Sequence, residues 1–537
     1  MRSTPTPFPR PWVIFFFFAL LFSAQVLPRL ASDSPAGDEM IEMGDGFFYW
    51  KGDVLSAAEH PPLAKGLQAL PLWALGVPYR SEQSFHVYLQ RDYHFLFVLN
   101  ADRWPLLFEL SRGVTFLFGL GLGLLLFGAA RGGSPGLLAS VLALWAFEPS
   151  ILAFSGFVLA DIPMTFFFTA AVIAFHKAQA DPSPRRSALA GLLAAMAVTC
   201  KFSAVFLLPV FLVLEVLASW KRGPAWRGIW ARWGWGTIAG LAWILALYLP
   251  GTLFITGHPW PLGLLFNGLH SITASLGRAV YFRGEISVHP FPLYNPTALL
   301  IKSPLPLLIL LAVAVFLAVK GKIRLPAWQW VPPLVFFLLV APVYDLGIRN
   351  LLPLYPFFIL MAGRAAGWMW DQKPRGERVF PLLAGGLLLF QVFSVGLSYP
   401  YQTGYFNELV APSRRLYWLG DSNLDIGQNT RRMVAEAKKR GWTHVKLAQF
   451  GSLNPVFYGL PWSPWTEKDL QGPQPGWVYL VSAEFLQLGP AYLPQAPLIS
   501  RGWFNQVPRG LLADTWYYYE APGEVQADNS PAIQSVF

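Results

Sequence analysis

Two neighbouring carboxylates, Asp38 and Glu39, lie in the stretch Gly37–Met40, shortly after a long apolar segment near the start of the chain. A carboxylate at a membrane edge can accept the proton of a hydroxyl group that attacks a lipid-bound substrate. We therefore take Asp38 as the candidate general base, with Glu39 beside it. A pair of solvated loop carboxylates fits the sequence equally well.

A third carboxylate, Asp161, stands between two apolar runs in the stretch Leu159–Met164. An unpaired carboxylate is costly in an apolar setting, so an acidic residue at such a place is usually functional or paired. Asp161 is therefore the second candidate catalytic residue. The alternative is that it caps the start of a helix.

Three cations, Lys201, Lys302 and Arg349, each lie at the end of an apolar run. Cations that converge on one site stabilise the negative charge that develops on a phosphate leaving group. Lys65, which follows Pro61 and Pro62, is likewise placed to meet a lipid phosphate. For each of these side chains the alternative is that it only reaches from an apolar helix to the membrane surface.

The sequence gives no support for a metal site. His60, His258 and His289 match no compact ligand spacing, and a divalent metal, although open, is not required. Asp421 and Asp425 resemble part of a calcium loop, but the glycine and final glutamate of such a loop are out of place, so a turn before a helix fits better. The single cysteine, Cys200, excludes an internal disulfide.

Composition determines the setting in which these residues act. Of the 537 residues 54% are hydrophobic and 13% are charged, which is too little polar surface to cover a soluble globule of this length. The net charge of +10 does not indicate nucleic acid, because the lysines and arginines lie between apolar runs rather than on one solvated face. The sequence therefore predicts a mainly α, polytopic membrane protein.

Apolar runs long enough for membrane helices predict about eleven spans. The runs lie near 11–28, 105–128, 135–152, 157–177, 187–200, 202–219, 234–257, 297–319, 327–343, 350–369 and 379–397. Only Lys201 separates the fifth run from the sixth, so a single long or re-entrant element is an alternative there. The first run follows two arginines, as in a signal peptide, but no cleavage motif closes it, and we interpret it as a retained helix.

Orientation follows from the cations of the short loops, which favour the cytoplasmic side. Alternate loops carry them: Arg131; Lys177, Arg185 and Arg186; Lys221, Arg222, Arg227 and Arg232; Lys320, Lys322 and Arg324; Lys373, Arg375 and Arg378. The opposite, outer face then receives two large loops, 29–104 and 258–296, the turn at Asp161, and the tail. Within the first loop, 63–79 is apolar but short and is predicted to lie along the interface.

The tail has a different composition from the rest of the chain. Arg431–Arg440 is typical of a polar helix, and Thr443–Phe450 and Trp477–Ser482 are typical of strands. We therefore predict a transmembrane region at 1–397 and a small extracytoplasmic α/β domain at 398–537.

Taken together and in this order, the motifs resemble the GT-C glycosyltransferases that use polyprenyl-phosphate donors. The resemblance is to the glycosyltransferase family 39 type, the bacterial protein mannosyltransferase-like group that includes the aminoarabinose transferases. It is carried by Asp38-Glu39, His60-Pro61-Pro62-Leu63 with Lys65, Asp161-Ile162-Pro163, Lys201-Phe202-Ser203, Lys302-Ser303-Pro304, Gly347-Ile348-Arg349, Tyr405–Glu408 and Gly420–Gln428.

The resemblance implies a GT-C fold and an inverting sugar transfer on the outer face of the bacterial cytoplasmic membrane. The donor would be a polyprenyl-phosphate-linked sugar, the acceptor a hydroxyl of a lipid, glycan or protein, and membrane lipids the surrounding partners. Asp38 would act as or support the base, and Asp161 would position the acceptor or the base. Substrate contacts would come from six further residues: Glu39, His60, Lys65, Lys201, Lys302 and Arg349.

A transporter or flippase of a lipid-linked sugar is the main alternative. Such a protein should keep ionisable groups near the middle of the membrane or show repeated halves. The distinctive charges of this chain instead gather toward one face. A non-catalytic scaffold is the remaining alternative, and Asp38 together with the outer cations argues against it.

Overall fold

The computed structural model is mainly helical. It describes residues 10–51, 60–80, 88–223, 226–254, 277–343, 345–372, 378–449, 453–493, 496–507 and 509–524, with positions 265, 266, 268, 270 and 451. Predictions that concern His258, and the parts of the two outer loops that fall in 52–59, 81–87 and most of 255–276, lie outside the described residues.

Each predicted span overlaps one or more helices within the described residues. Up to the end of the apolar region the helices are α1 Pro11–Ser32, α2 Gly37–Lys51, α3 Pro62–Ala74, α4 Tyr88–Tyr93, α5 Trp104–Ala130, α6 Pro135–Ala146, α7 Pro149–Phe154, α8 Asp161–Ala180, α9 Pro184–Cys200, α10 Leu207–Arg222, α11 Trp226–Phe254, α12 Tyr294–Lys302, α13 Leu305–Val319, α14 Ala327–Val340, α15 Tyr355–Trp370 and α16 Val379–Leu397. A π-helix, His94–Leu99, follows α4, and 3₁₀ helices, Phe202–Phe206 and Ile348–Leu354, precede α10 and α15.

By length and composition, five helices within the described residues can cross a membrane. They are Pro11–Ser32, Trp104–Ala130, Phe202–Trp220, Ile348–Trp370 and Val379–Leu397, with a sixth if the bent pair α12 and α13 counts as one span. The count of eleven therefore stays a prediction. The run 135–152 is divided, because Pro149 begins a new helix after Glu148, whose carboxylate accepts a hydrogen bond from Ile151 N–H.

The chain does not pass from α9 to α10 as one long helix. α9 ends at Cys200, and Lys201 has extended dihedral angles (φ −153°, ψ 129°) before the 3₁₀ helix begins. Of the two alternatives left open at this point, the structure has separate helices. The break also frees the Lys201 side chain to turn toward α8.

Helix α11 begins at Trp226, eight residues before the predicted span. Arg232, predicted to lie in an inner loop, is therefore inside the helix and nearly buried. Its guanidinium forms an ion pair of 2.5 Å with Glu215 of α10. Pairing neutralises both charges, which explains how an arginine is accommodated between two apolar helices.

Helix packing relies on aromatic contacts and small residues. Phe22 of α1 stacks on Trp145 of α6 with ring centroids 4.6 Å apart, and both side chains are fully buried. Gly191 of α9 lies so close to Gly236 of α11 that a Cβ atom at Gly191 would stand 2.0 Å from the carbonyl oxygen of Gly236. Small residues permit this approach, which is the usual basis of helix association in a membrane.

Within the segment predicted as the first outer loop, the described residues form α2, α3 and α4, which share a core of their own. Phe47 and Phe48 of α2 are fully buried and contact Phe95 of the π-helix, at ring-centroid distances of 4.7 and 5.2 Å. Helix α3 occupies most of the segment 63–79 that was predicted to lie along the interface. Its buried residues, Leu63 and Leu72 among them, face the protein.

The tail is an α/β unit, as predicted. Its elements are α17 Arg415–Trp418, α18 Thr430–Lys439, β3 Val445–Ala448, α19 Glu467–Gln471, β4 Val478–Ser482, α20 Ala483–Gln487, α21 Gly489–Tyr492, α22 Ala496–Ser500, β5 Gly510–Leu512 and β6 Trp516–Glu520, after a separate hairpin of β1 Val280–Phe282 and β2 Glu285–Ser287. The sheet order is β3-β4-β6-β5, with β3 parallel to β4 and the other pairs antiparallel. Strands β5 and β6 were not predicted, although the run Trp516–Tyr519 has the aromatic content of a strand.

The tail packs against the end of α1 that lies next to Asp38. Ser34 N–H donates to the carbonyl of Gln428 at 2.9 Å, and the Arg432 guanidinium forms an ion pair with Asp33. The tail also reaches α12, where Asn407 N–H donates to the carbonyl of Ile301 at 2.9 Å. The residues that follow α16 and those that follow α1 therefore lie at the same end of the molecule.

Candidate active site

Asp38 is the second residue of α2, and its carboxylate contacts Arg349. Arg349 Nη1 donates to Asp38 Oδ2 at 2.9 Å, while 48% of the Asp38 side chain stays exposed. Partial burial raises the pKa of Asp38, but the charge and hydrogen bond of Arg349, with smaller contributions from His60 and Arg278, outweigh it and lower the pKa. Asp38 is therefore ionised at neutral pH and can accept a proton.

Asn350, the residue after Arg349, contacts a second ion pair, which is formed by Lys201 and Asp161. Lys201 Nζ lies 2.6 Å from Asn350 Oδ1 and 2.6 Å from Asp161 Oδ1. Because Arg349 and Asn350 are consecutive in the 3₁₀ helix, the pairs Asp38 with Arg349 and Asp161 with Lys201 meet at one place. The structure thus brings together four of the predicted site residues.

Asp161 begins α8 and is buried, with 4% of its side chain exposed. The partial positive charge of a helix N-terminus favours a carboxylate there. Its carboxylate pairs with Lys201, a partner that the sequence did not predict. This arrangement holds a lysine between the start of α8 and the end of α9.

His60 pairs with a carboxylate that the sequence analysis did not consider. His60 Nδ1 lies 2.6 Å from Oε1 of Glu42, which is almost fully buried and stands one helical turn after Asp38. Burial lowers the pKa of His60, but the Glu42 carboxylate, and to a smaller degree Asp38, raise it above its usual value. The spacing of Asp38 and Glu42, four residues apart on a helix, was the signal that could have identified this pair.

Lys65 belongs to a buried network in the first outer loop. Its ammonium lies 3.2 Å from Asp45 Oδ2, and Arg91 Nη2 donates to Asp45 Oδ1 at 2.5 Å. Arg91 Nε also donates to Asp92 at 2.8 Å. Two cations and two carboxylates balance one another, which ties α2, α3 and α4 together. The predicted contact of Lys65 with substrate stays a prediction.

Glu39 is fully buried and bound by Arg112 of α5. Its Oε1 accepts hydrogen bonds from Arg112 Nε and Val158 N–H, both at 2.8 Å. Its Oε2 accepts from Arg112 Nη2 at 2.6 Å and from Ala36 N–H at 2.8 Å. Two hydrogen bonds on each oxygen satisfy the carboxylate, so its protein partners fix the start of α2 beside Asp38.

Lys302 is buried at the end of α12 and points into the tail. Its ammonium donates to the carbonyls of Thr403 at 2.8 Å and Asn423 at 2.5 Å, and it lies 4.5 Å from the centroid of the Phe406 ring. These partners attach the tail to the break between α12 and α13. The predicted phosphate contact of Lys302 is untested, and its ammonium has protein partners instead.

Asp421 and Asp425 lie in a turn before α18, as predicted. Asp421 has a left-handed backbone conformation (φ 54°) and contributes a negative charge near Arg349. Asp425 is fully buried and accepts hydrogen bonds from Gly427 N–H at 3.0 Å and Glu484 N–H at 3.3 Å. Burial raises the pKa of Asp425 to about 6.

The described residues contain no group of three or more histidine, cysteine or acidic side chains arranged to hold a metal ion. His60 is paired with Glu42, and His289 is exposed in the loop before α12. The paired groups described above are carboxylates and cations of the chain itself, together with His60.

Residues 32–272 match the family model described as dolichyl-phosphate-mannose-protein mannosyltransferase. The predicted family resemblance is confirmed. The matched region contains Asp38, His60, Asp161 and Lys201, whereas Arg349 lies beyond it. At the level of reaction class, the same match supports the prediction of a glycosyltransferase.

Three solved structures are similar to this chain. ArnT from Cupriavidus metallidurans bound to undecaprenyl phosphate is 13% identical, with 94% of this chain and 97% of that chain covered and a TM-score of 0.49. The archaeal oligosaccharyltransferase AglB from Archaeoglobus fulgidus, in complex with an inhibitory peptide and a dolichol-phosphate, is 11% identical, with 90% and 72% covered and a TM-score of 0.47.

The third structure is the protein O-mannosyltransferase Pmt1-Pmt2 complex of S. cerevisiae bound to the sugar donor. It is 21% identical, with 46% of this chain covered and a TM-score of 0.33. The match spans about a third, 34%, of the length of that chain. No curated protein sequence matches this chain.

Proposed function

We propose that this protein transfers a sugar from a polyprenyl-phosphate donor to an acceptor hydroxyl on the outer face of the bacterial cytoplasmic membrane. The observation that carries the proposal is the 2.9 Å contact of Asp38 with Arg349, beside the pair of Asp161 and Lys201. The carboxylate that would serve as the base, Asp38, therefore lies close to two cations, Arg349 and Lys201, that could bind a phosphate. The matched family model, named for a dolichyl-phosphate-linked mannose donor, supports the donor class.

The proposed reaction is a single displacement. The acceptor oxygen forms a bond to the anomeric carbon as the bond from that carbon to the phosphate oxygen breaks. The hydroxyl proton passes to Asp38, and the electron pair of the broken bond leaves with the polyprenyl phosphate. Attack from the side opposite the leaving group inverts the configuration of the sugar.

Arg349 and Lys201 are proposed to stabilise the charge of the departing phosphate. Their guanidinium and ammonium groups are fixed before substrate binds, which is the condition under which such cations contribute most to a transition state. A phosphate bound to Arg349 would also draw the guanidinium from Asp38. Asp38 would then lose part of the charge that lowers its pKa and become a better base.

The remaining predicted residues are proposed to act in two ways. The positive charge of protonated His60 attracts the donor phosphate. Asp161, through its contact with Lys201, positions the acceptor or Asp38. Glu39, Lys65 and Lys302, whose polar groups bind other parts of the protein, are proposed to hold the substrate-contacting residues in place. This revises the predicted direct contact of these three with substrate.

The test is transfer of radiolabelled sugar from synthetic polyprenyl-phosphate donors by the purified protein in detergent. Asp38→Asn should reduce the rate about 100-fold or more, as removal of a general base does. Asp102→Asn, an exposed carboxylate with 72% of its side chain accessible, is the matched control and should keep the wild-type rate. Equal transfer rates for the wild type and Asp38→Asn would refute the role of Asp38 as the base. Binding of donors without transfer or donor hydrolysis would favour a transporter.

A further inference from the structure

Arg349 lies in a short helix whose N-terminal end is not capped by the residue that precedes it. Ile348 is the first residue of the 3₁₀ helix, and the residue before it, Gly347, has no side chain with which to bind the free N–H groups. Gly347 has a φ of 81°, a conformation that a side chain disfavours. The cap must therefore come from another part of the chain.

Asn423, 75 residues later in the tail, supplies this cap. Its Oδ1 accepts a hydrogen bond from Ile348 N–H at 3.0 Å. The approach requires glycine, because a Cβ atom at Gly347 would lie 2.2 Å from Asn423 Nδ2. Next to it, Ser422 Oγ donates to the carbonyl of Leu346 at 3.0 Å. The tail thus holds the backbone on both sides of Gly347.

Asn423 is itself rigidly placed. Its side chain is fully buried, and Nδ2 donates to the Tyr294 hydroxyl at 3.0 Å and to the Gly420 carbonyl at 2.9 Å. Its own carbonyl accepts from Lys302 Nζ at 2.5 Å. Lys302 and Tyr294 both belong to α12, so Asn423 connects that helix to the 3₁₀ helix. All polar groups of its side chain are satisfied inside the protein.

The Arg349 side chain depends on this backbone support. Its Nη1 contacts Asp38, but its Nε is buried and has no hydrogen-bond partner within the described residues. The position of the guanidinium is therefore set by a half-exposed carboxylate at one end and by the Arg349 backbone at the other. A shift of Ile348 would move Arg349 directly, and an unpaired buried Nε–H is a donor for an incoming anion.

We propose that Asn423 is a positioning residue for Arg349, and that the tail thereby completes the binding site for the donor phosphate. This inference rests on the proposed function, in which Arg349 binds that phosphate. The proposal predicts that removing the Asn423 cap, which belongs to the tail, weakens binding of a lipid phosphate by Arg349. A purely structural Asn423 would lower stability without a specific effect on binding through Arg349.

The experiment measures the affinity of the full-length protein for a synthetic polyprenyl phosphate in a double-mutant cycle. Asn423→Leu keeps the approximate size but removes the cap, and Asn423→Asp keeps an acceptor for Ile348 N–H. We expect Arg349→Ala to weaken binding about tenfold or more and Asn423→Leu to weaken it about fivefold to tenfold. Asn423→Asp loses the Nδ2 donor to Tyr294 and Gly420 and should lower stability, but its retained acceptor for Ile348 N–H should keep the affinity closer to wild type than Asn423→Leu does. The double variant should bind no more weakly than Arg349→Ala, because both changes act on one contact.

The outcomes separate the two proposals. If Arg349→Ala leaves the affinity unchanged, Arg349 does not bind the phosphate and the proposed function loses that step. If Arg349→Ala weakens binding but Asn423→Leu does not, or if the two effects add independently, the positioning role of Asn423 is refuted. Should Asn423→Leu not fold, Ser422→Ala replaces it in the cycle, since it removes only the contact with Leu346.

Discussion

At the scale of single residues, the site is organised as contacts between opposite charges. Asp38 contacts Arg349, Asp161 contacts Lys201, and Glu42 contacts His60, each at 2.9 Å or less. The first two pairs join at consecutive residues of one short helix. In the proposed reaction, the donor phosphate competes with a carboxylate for its cation, so binding of the donor and release of the base are coupled.

Glu42→Gln should lower the pKa of His60. The wild-type pKa is raised because the Glu42 carboxylate stabilises the imidazolium against the opposing effect of burial. With a neutral glutamine, burial and Lys65 lower the pKa and only the weaker influence of Asp38 raises it, so the ring should titrate at lower pH. The measurement is NMR of labelled histidine, with exposed His444 as the internal control.

The same variant should alter the pH dependence of donor binding. If the His60 imidazolium attracts the phosphate, affinity falls as pH rises through the His60 pKa, and Glu42→Gln should move that fall to lower pH. His60 keeps 38% of its side-chain exposure, so solvent screening makes the shift modest. An unchanged profile would show that His60 does not act as a charge on the donor.

Sequence reasoning identified the charged members of the site but not how they pair. Asp38, Asp161, Lys201 and Arg349 could be predicted because charges at the ends of apolar runs are costly unless they are used. Glu42, Asn350 and Asn423 were missed. The two asparagines are ordinary polar residues in sequence, and their role arises from contacts with residues 75 or more positions away.

At the scale of elements, the 3₁₀ helix Ile348–Leu354 is where the site is assembled. It presents Arg349 to α2 and Asn350 to Lys201, which the break after α9 turns toward α8. The apolar runs predicted where helices lie, because hydrophobicity is local. The sequence did not predict the break after α12, where the chain bends by 107° into α13. The direction of a helix is set by packing and, here, by Pro304 at the break.

Asp161→Asn should reduce sugar transfer about tenfold or more while the protein stays folded. Lys201 would lose its charged partner but keep Asn350, so its ammonium would be held less firmly near the phosphate. The assay is transfer rate with thermal unfolding as a check on the fold. Asp181→Asn, an exposed carboxylate at the other end of α8, should change neither quantity. Wild-type transfer by Asp161→Asn would contradict the role of this pair.

At the scale of the whole molecule, the tail and the helical region form one structure around the site. Arg432 reaches Asp33 after α1, Asn407 reaches α12, and Asn423 reaches the residues before Arg349. The sequence predicted only that the tail lies on the same side of the membrane as the large loops, and not that it contacts α1 and α12. These contacts could not be predicted, because they join residues 75 to 399 positions apart.

Lys302→Met should loosen the tail rather than abolish binding of a phosphate. The change removes two hydrogen bonds from a buried ammonium to tail carbonyls and should destabilise the protein by about 2 kcal/mol. The measurements are thermal unfolding and limited proteolysis of the tail, together with affinity for polyprenyl phosphate. A specific loss of affinity with unchanged stability would instead favour the predicted substrate contact of Lys302.

The three ion pairs of the site have a consequence for proton balance. Three carboxylates face Arg349, Lys201 and His60, so their formal charges cancel only when the imidazole is protonated. An arriving phosphate adds negative charge to these pairs, and it stabilises the protonated ring. Above the pKa of His60, donor binding should therefore take up protons from solution, which calorimetry in buffers of different ionisation enthalpy would detect.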